Sequence, residues 1–155
     1  MAWSNSKIFS AFPTDSFNGT ALFDLNSDAL KAALFDNTIT PSQTVTSANG
    51  AYGAGVWASG GVGDTPSWPA VGRPLASVTS TFSSNVYTFD AADTVSADAT
   101  TDLANVYGCL NYDDTLAAPV ADQGFCFNYF GGANSVTNGT FTVVWNVSGI
   151  FALTL

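Results

Sequence analysis

The chain has 155 residues, 46% of them apolar and 14% aromatic, which suits one domain with a well-filled core and excludes disorder. Twelve aspartates against Lys7, Lys31 and Arg73 give a net charge of -9, which argues against DNA or RNA binding, where clustered Lys and Arg must meet phosphate. The chain has no His and no Glu, so the commonest general base and metal ligand is missing, and its acids are all of the turn-forming kind.

Only 10% of residues are charged, so the surface must be Ser, Thr, Asn, Gly and Ala. A free monomer normally carries more charge for solubility; this composition suits a protein docked in an assembly. No apolar run reaches membrane-spanning length. Met1 to Lys7 lacks a basic start followed by an apolar stretch, so no signal peptide is expected and synthesis in a cytosol is the default. The sequons at Asn18, Asn138 and Asn146 then read as turns.

Lys7 to Phe12 is apolar and ends at Pro13. Ile8, Phe9 and Phe12 have helical spacing, so the segment reads as a short helix or an irregular apolar plug. Asn18-Gly19 marks a turn into Ala21-Leu22-Phe23. Residues 28–35 admit two readings. Ser27 or Asp28 caps a helix with Leu30, Ala33 and Leu34 on one face, and an apolar run of eight equally suits a buried strand. Residues 36–74 are rich in Gly and Pro and hold Trp57 and Trp68. A loop region this long is either functional or packed as a lid. It contains no phosphate-loop motif, and Arg73 stands alone. Trp57, Trp68 and Arg73 are the candidate partner contacts, because Trp and Arg dominate interface energetics and no regular strand obliges the tryptophans to point inward.

From Leu75 onward the pattern is β. Leu75 to Phe82 and Asn85 to Phe89 alternate Thr, Val and aromatics, and Thr94-Val95-Ser96 is a short strand in an acidic, turn-rich segment. Ala104 to Tyr112 and Gly124 to Phe130 read as a hairpin. A loop centred near Ala117-Ala118 sets Cys109 opposite Cys126 and Leu110 opposite Phe125, with Val106, Leu110, Phe125 and Phe127 on one apolar face. That register allows a disulfide, although two reduced thiols are the ordinary state in a cytosol. Asn138 to Leu155 reads as two strands joined by a turn, with Phe141, Val143 and Trp145 inward. Core positions are therefore expected at Val106, Leu110, Phe125, Phe127, Phe141, Val143, Trp145 and Phe151. If Phe151, Leu153 and Leu155 are not all buried, the chain end becomes part of a docking face. The expected fold is an all-β, single-domain antiparallel β-sandwich spanning 1–155, jelly-roll-like or Greek key, with at most one short helix near the N-terminus.

Asp113-Asp114 and the run Asp90, Asp93, Asp98 and Asp102 invite an acid–base or Ca²⁺ reading, but no EF-hand spacing is present and Asp is the ordinary residue of turns. No catalytic residue, cofactor or metal is expected.

Short stretches at both ends carry a family resemblance: Lys7-Ile8-Phe9, Asn18-Gly19, Asp24 to Leu34, Ile39 to Gln43, Val106 to Thr115, Asn138 to Trp145 and Gly149 to Leu153. On these the chain resembles a family of small virion structural proteins of tailed bacteriophages. The resemblance implies a β-rich, non-enzymatic capsid decoration or minor capsid protein on the virion surface. Its partners would be the major capsid protein and its own copies, with a trimer the first choice of homo-oligomer. The family's β-branched residues tip 29–35 towards a strand, whereas the alanines here leave helix and strand both open. The rival readings are a tail or fibre subunit, or a carbohydrate-binding adhesion module using Trp57, Trp68 and exposed Tyr.

Overall fold

The computed structural model describes residues 3–155. In chain order its elements are β1 (Lys7–Ile8), α1 (Ala11–Asn18), β2 (Leu30–Phe35), β3 (Gly61–Val62), β4 (Arg73–Pro74), β5 (Thr79–Ser83), β6 (Val86–Asp90), β7 (Thr94–Val95), β8 (Thr101–Asp113), β9 (Gly124–Gly139), β10 (Thr142–Val143) and β11 (Phe151–Thr154). The main sheet has the order β1-β9-β8-β2-β3, with β4 also paired to β2. A three-stranded sheet, β11-β6-β5, lies apart from it, as does the pair β10-β7. The strand pairings are antiparallel, and the chain is an all-β domain with one short α-helix near its N-terminus and two single-turn 3-10 helices, Ser47–Asn49 and Gly55–Ala58, in the Gly/Pro/Trp-rich region.

The helix includes Pro13, which the sequence pattern had marked as a stop. Pro13 is in the first turn, where a backbone N–H has no intrahelical acceptor to lose. Asn18-Gly19 is the helix end rather than a free turn: Gly19 adopts φ 66°, and Thr20 N–H donates to Asp15 O at 2.9 Å.

Residues 30–35 are a strand. β2 lies between β8 on one side and β3 and β4 on the other, and Leu30, Ala32, Ala33, Leu34 and Phe35 are all buried. A strand covered on both faces has no polar alternation to display, which is why its sequence resembles a helix. The Gly/Pro-rich region lies tightly against this strand: a Cβ at Gly72 would strike the Ala32 carbonyl. Tertiary burial outweighs the helix propensity of Leu-Lys-Ala-Ala.

The β8–β9 hairpin departs from the expected register by two residues. Cys109 pairs with Asn128, Asn111 with Cys126, and Leu110 with Phe127. A slip of two leaves every side chain on its face, so Cys109, Cys126, Asn111 and Asn128 share one face, but the direct Cys109–Cys126 pairing does not form. Both thiols are free. Asn111 bridges them, donating from Nδ2 to Cys126 Sγ at 3.3 Å and to Asn128 Oδ1 at 2.7 Å, and accepting from Cys109 Sγ at 3.8 Å.

A second departure is a bulge between Asn111 and Tyr112, where the pairing jumps from Cys126 to Gly124 and leaves Phe125 unpaired. Phe125 and Phe127 were expected on one face and instead serve opposite layers. Phe127 packs on Trp3, Phe9 and Trp57, whereas Phe125 packs on Phe12, Phe89 and Phe151. One layer is the N-terminal segment with the Gly/Pro/Trp-rich region; the other is the three-stranded sheet with α1.

Trp57 and Trp68 are core residues, which corrects their reading as partner contacts. Trp57 is 2% exposed and meets Trp3, Phe9, Phe35 and Phe127; Trp68 is 0% exposed and lies edge-on to Phe141. The 36–74 region is a lid whose glycines let its backbone fold tightly, as at Gly63, where a Cβ would strike Ala70. Arg73 is half-buried in β4 with its Nε enclosed and unpartnered, so it too is a poor contact residue. Val106, Leu110, Phe125, Phe127, Phe141, Val143, Trp145 and Phe151 are all buried. The last two strands are not a hairpin: β10 pairs with β7 and β11 with β6.

Replacing Trp57 by Ala removes the ring that joins the lid to the main sheet. We expect a loss of about 3–5 kcal/mol in denaturant unfolding; a loss below about 1 kcal/mol would contradict the lid packing. Burial raises both thiols, Cys126 to about 12. Iodoacetamide at pH 8 should therefore leave both unmodified until the chain unfolds, and rapid native labelling would contradict their burial.

Candidate docking groove

The three-stranded sheet reaches beyond the core it covers. Its inward face carries two cross-strand rows, Ser80–Phe89–Phe151 and Phe82–Tyr87–Leu153. The first row meets the main sheet through Phe89 and Phe151, both buried. The second row overhangs, with Phe82 61% exposed, and Leu155 just beyond it is 73% exposed. Across from this floor stands α1, whose Phe12 is anchored on Phe23 at a centroid distance of 4.9 Å while Phe17 projects 81% exposed. The space between them is a groove of about 470 Å³, closed at one end by Phe23 to Asn26.

Asp24 is the one charged residue lining this groove. Hydrogen bonds from Ser27 and Asn26 hold its carboxyl below the ordinary range, so it is ionised and stays at the rim. Phe17, Phe82 and Leu155 leave the groove wall largely apolar and open to solvent, whereas Leu22, 78% exposed, belongs to a separate hollow beside Thr115 and Leu116. Contiguous exposed apolar surface of this kind marks an interaction site. Burying Phe17, Phe82 and Leu155 on docking is worth about 1.5–3 kcal/mol each before the entropic cost of association.

The groove was only partly visible in sequence. Of Phe151, Leu153 and Leu155, the chain-end residues that the sequence offers as a docking edge, the structure buries Phe151, half-buries Leu153 and exposes Leu155. Phe17, Phe82 and Tyr87 complete the groove and carry no such signal at the chain end. The available signal was Phe82, an aromatic at the end of a Ser/Thr strand next to a turn, where the core no longer reaches.

Most of the aspartates serve as backbone acceptors. Asp93 Oδ1 accepts Trp145 N–H at 3.0 Å, Asp102 Oδ1 accepts Asn138 N–H at 2.8 Å, Asp64 Oδ2 accepts Asp102 N–H at 2.7 Å, and Asp98 Oδ1 accepts Thr100 N–H at 3.0 Å. Among the described residues no group of three or more His, Cys, Asp or Glu is placed to hold a metal ion. No helix among them is long and apolar enough to cross a membrane. Lys31 pairs with Asp114 at 2.7 Å.

No family model, curated protein or solved structure matches the chain.

Asp113 stands out chemically. It is fully buried at the end of β8, where Oδ1 accepts the N–H groups of Thr115 at 2.9 Å and Leu116 at 3.1 Å. Its Oδ2 is enclosed without a donor and faces the Asp28 carboxyl. Burial first, then sharing of a proton with Asp28, raises its pKa to about 7. Between the unfolded carboxylate value of about 3.9 and that raised value, the native state holds a proton that the unfolded chain has released. Stability therefore falls as pH rises through that window. Asp113→Asn keeps the Oδ1 acceptor and gives Asp28 a permanent donor. Its thermal midpoint should change less than the wild type's between pH 4 and 8 and lie above it at pH 8; parallel curves would contradict the shared proton.

Proposed function

We propose that this chain is a virion structural protein of a tailed bacteriophage that decorates the assembled capsid, with the groove between α1 and the three-stranded sheet docking on the major capsid protein. The observation that carries the reading is the overhanging apolar floor of Phe82, Leu153 and Leu155 facing Phe17. A Ser/Thr-rich, weakly charged surface and the resemblance at both chain ends support it. Binding the assembled shell and not its free subunits stabilises the shell by mass action, and each contact adds to the cost of separating capsomers under the pressure of packaged DNA. On this reading the protein is non-enzymatic and its place is the outer surface of the virion.

A tail or fibre subunit would use the same surface chemistry at far lower copy number. The adhesion reading loses its anchors, since Trp57 and Trp68 are buried and offer no platform to a sugar. The test is reconstitution on particles stripped of this protein. Wild type should rebind in hundreds of copies and raise the temperature of DNA release, while Phe17→Ser with Leu155→Ser should fold normally and fail to rebind. A handful of copies per particle would favour the tail, and unchanged DNA release would rule out cementing.

A further inference from the structure

We infer that two copies of this chain pair edge to edge through β5, on a two-fold axis at Thr81, to make a continuous six-stranded sheet. The inference is independent of what the groove docks on. β5 is hydrogen-bonded on one side only, to β6. Its outer edge carries none of the devices that protect such edges: Thr79–Ser83 holds no Pro and no charge, and its register with β6 is unbroken. The other sheet borders offer less. β1, β3, β4, β7 and β10 are two residues long; the arms of β8 and β9 beyond their pairing with β2 and β1 are broken by repeated register shifts and by Asn105, Gly131 and Gly132 at positive φ; and the free side of β11 is approached by Asn128, which donates to Ile150 O at 3.3 Å.

The turn fixes which backbone groups are free. Ser84 and Asn85, at φ 50° and 65°, form a two-residue turn closed by the Ser83–Val86 pair. Ser83, Thr81 and Thr79 therefore direct their N–H and C=O groups to β6, and Phe82 and Ser80 direct theirs outward. Two such edges run antiparallel satisfy each other when Ser80 faces Phe82 of the second copy and Phe82 faces its Ser80. Thr81 then lies opposite its own mate as a non-hydrogen-bonded pair. Phe82, 61% exposed in one copy, gains cover from the second.

Charge selects the same surface. Each copy carries -9, so most approaches between copies are repulsive. Between Arg73 and Asp90 the chain has no charged side chain, and the β5–β6 hairpin presents that neutral stretch at the surface. Because the axis is perpendicular to the sheet, both grooves open on one side of the pair, so a dimer offers a docking partner two apolar sites at once.

Sedimentation equilibrium of the full chain, up to millimolar concentration, should give twice the 16.0 kDa chain mass. Thr81→Lys sets like charges opposite each other on the axis and should weaken association by about tenfold or more while leaving the thermal midpoint of the monomer unchanged. Thr81→Cys should form an intermolecular disulfide on oxidation, and Thr79→Cys, which faces Ser83 of the second copy, should not. The native thiols are buried and do not compete. A monomeric or trimeric wild type, a Thr81→Lys dimer of unchanged affinity, or equal cross-linking at 79 and 81 would overturn the pairing.

Discussion

One backbone irregularity lets this domain have two aromatic layers. The bulge opposite Asn111 and Tyr112 turns Phe125 away from the face that Phe127 serves. Without it both rings would compete for one side of the main sheet, and the other side would lose the ring that ties Phe12, Phe89 and Phe151 together. The position of the three-stranded sheet follows from that contact. So does the groove, because the sheet is held at Phe89 and Phe151, with Tyr87 and Leu153 packed at the margin of the core and Phe82 left to overhang. The docking surface is thus the unsupported half of a layer whose other half is fixed by the bulge.

The polar centre of the same hairpin is equally constrained. Asn111 is buried with its amide spread over Cys109, Cys126 and Asn128. Asn128 also donates to Ile150, which links the main sheet to the entry of β11. A buried polar network of this kind is specific when satisfied and costly when broken. It fixes the register, since a slip of two residues would preserve the apolar faces and strand the amide.

The strand character of β5, β6, β8 and β9 was legible because each has one face that alternates with Ser, Thr or Asn. β2 was not, because burial on both faces removes the alternation, and only its neighbours decide its state. The hairpin register was missed by two residues because the faces are identical in either register, and the distinction lies in the loop and the bulge. The tryptophans were misplaced for a different reason. Gly- and Pro-rich chain need not be exposed chain: the glycines here permit close backbone approaches, Gly55 to Asn49 and Gly63 to Ala70 beside Trp68, in a region whose two tryptophans are buried. The groove was invisible in local pattern, since exposure of Phe82 and Leu155 depends on where the layer beneath them stops.

The chain's exclusive use of aspartate has a consequence of its own. Most of its carboxylates reach backbone N–H groups one to four residues away in the chain, or on a neighbouring segment, and one methylene more would overshoot those donors. The acidity of the molecule is thus largely a by-product of how its turns are stitched. An Asp-to-Glu change, which conserves charge, would here count as a change of geometry, and an Asp-to-Asn change, which discards charge, would often leave the loop as it was.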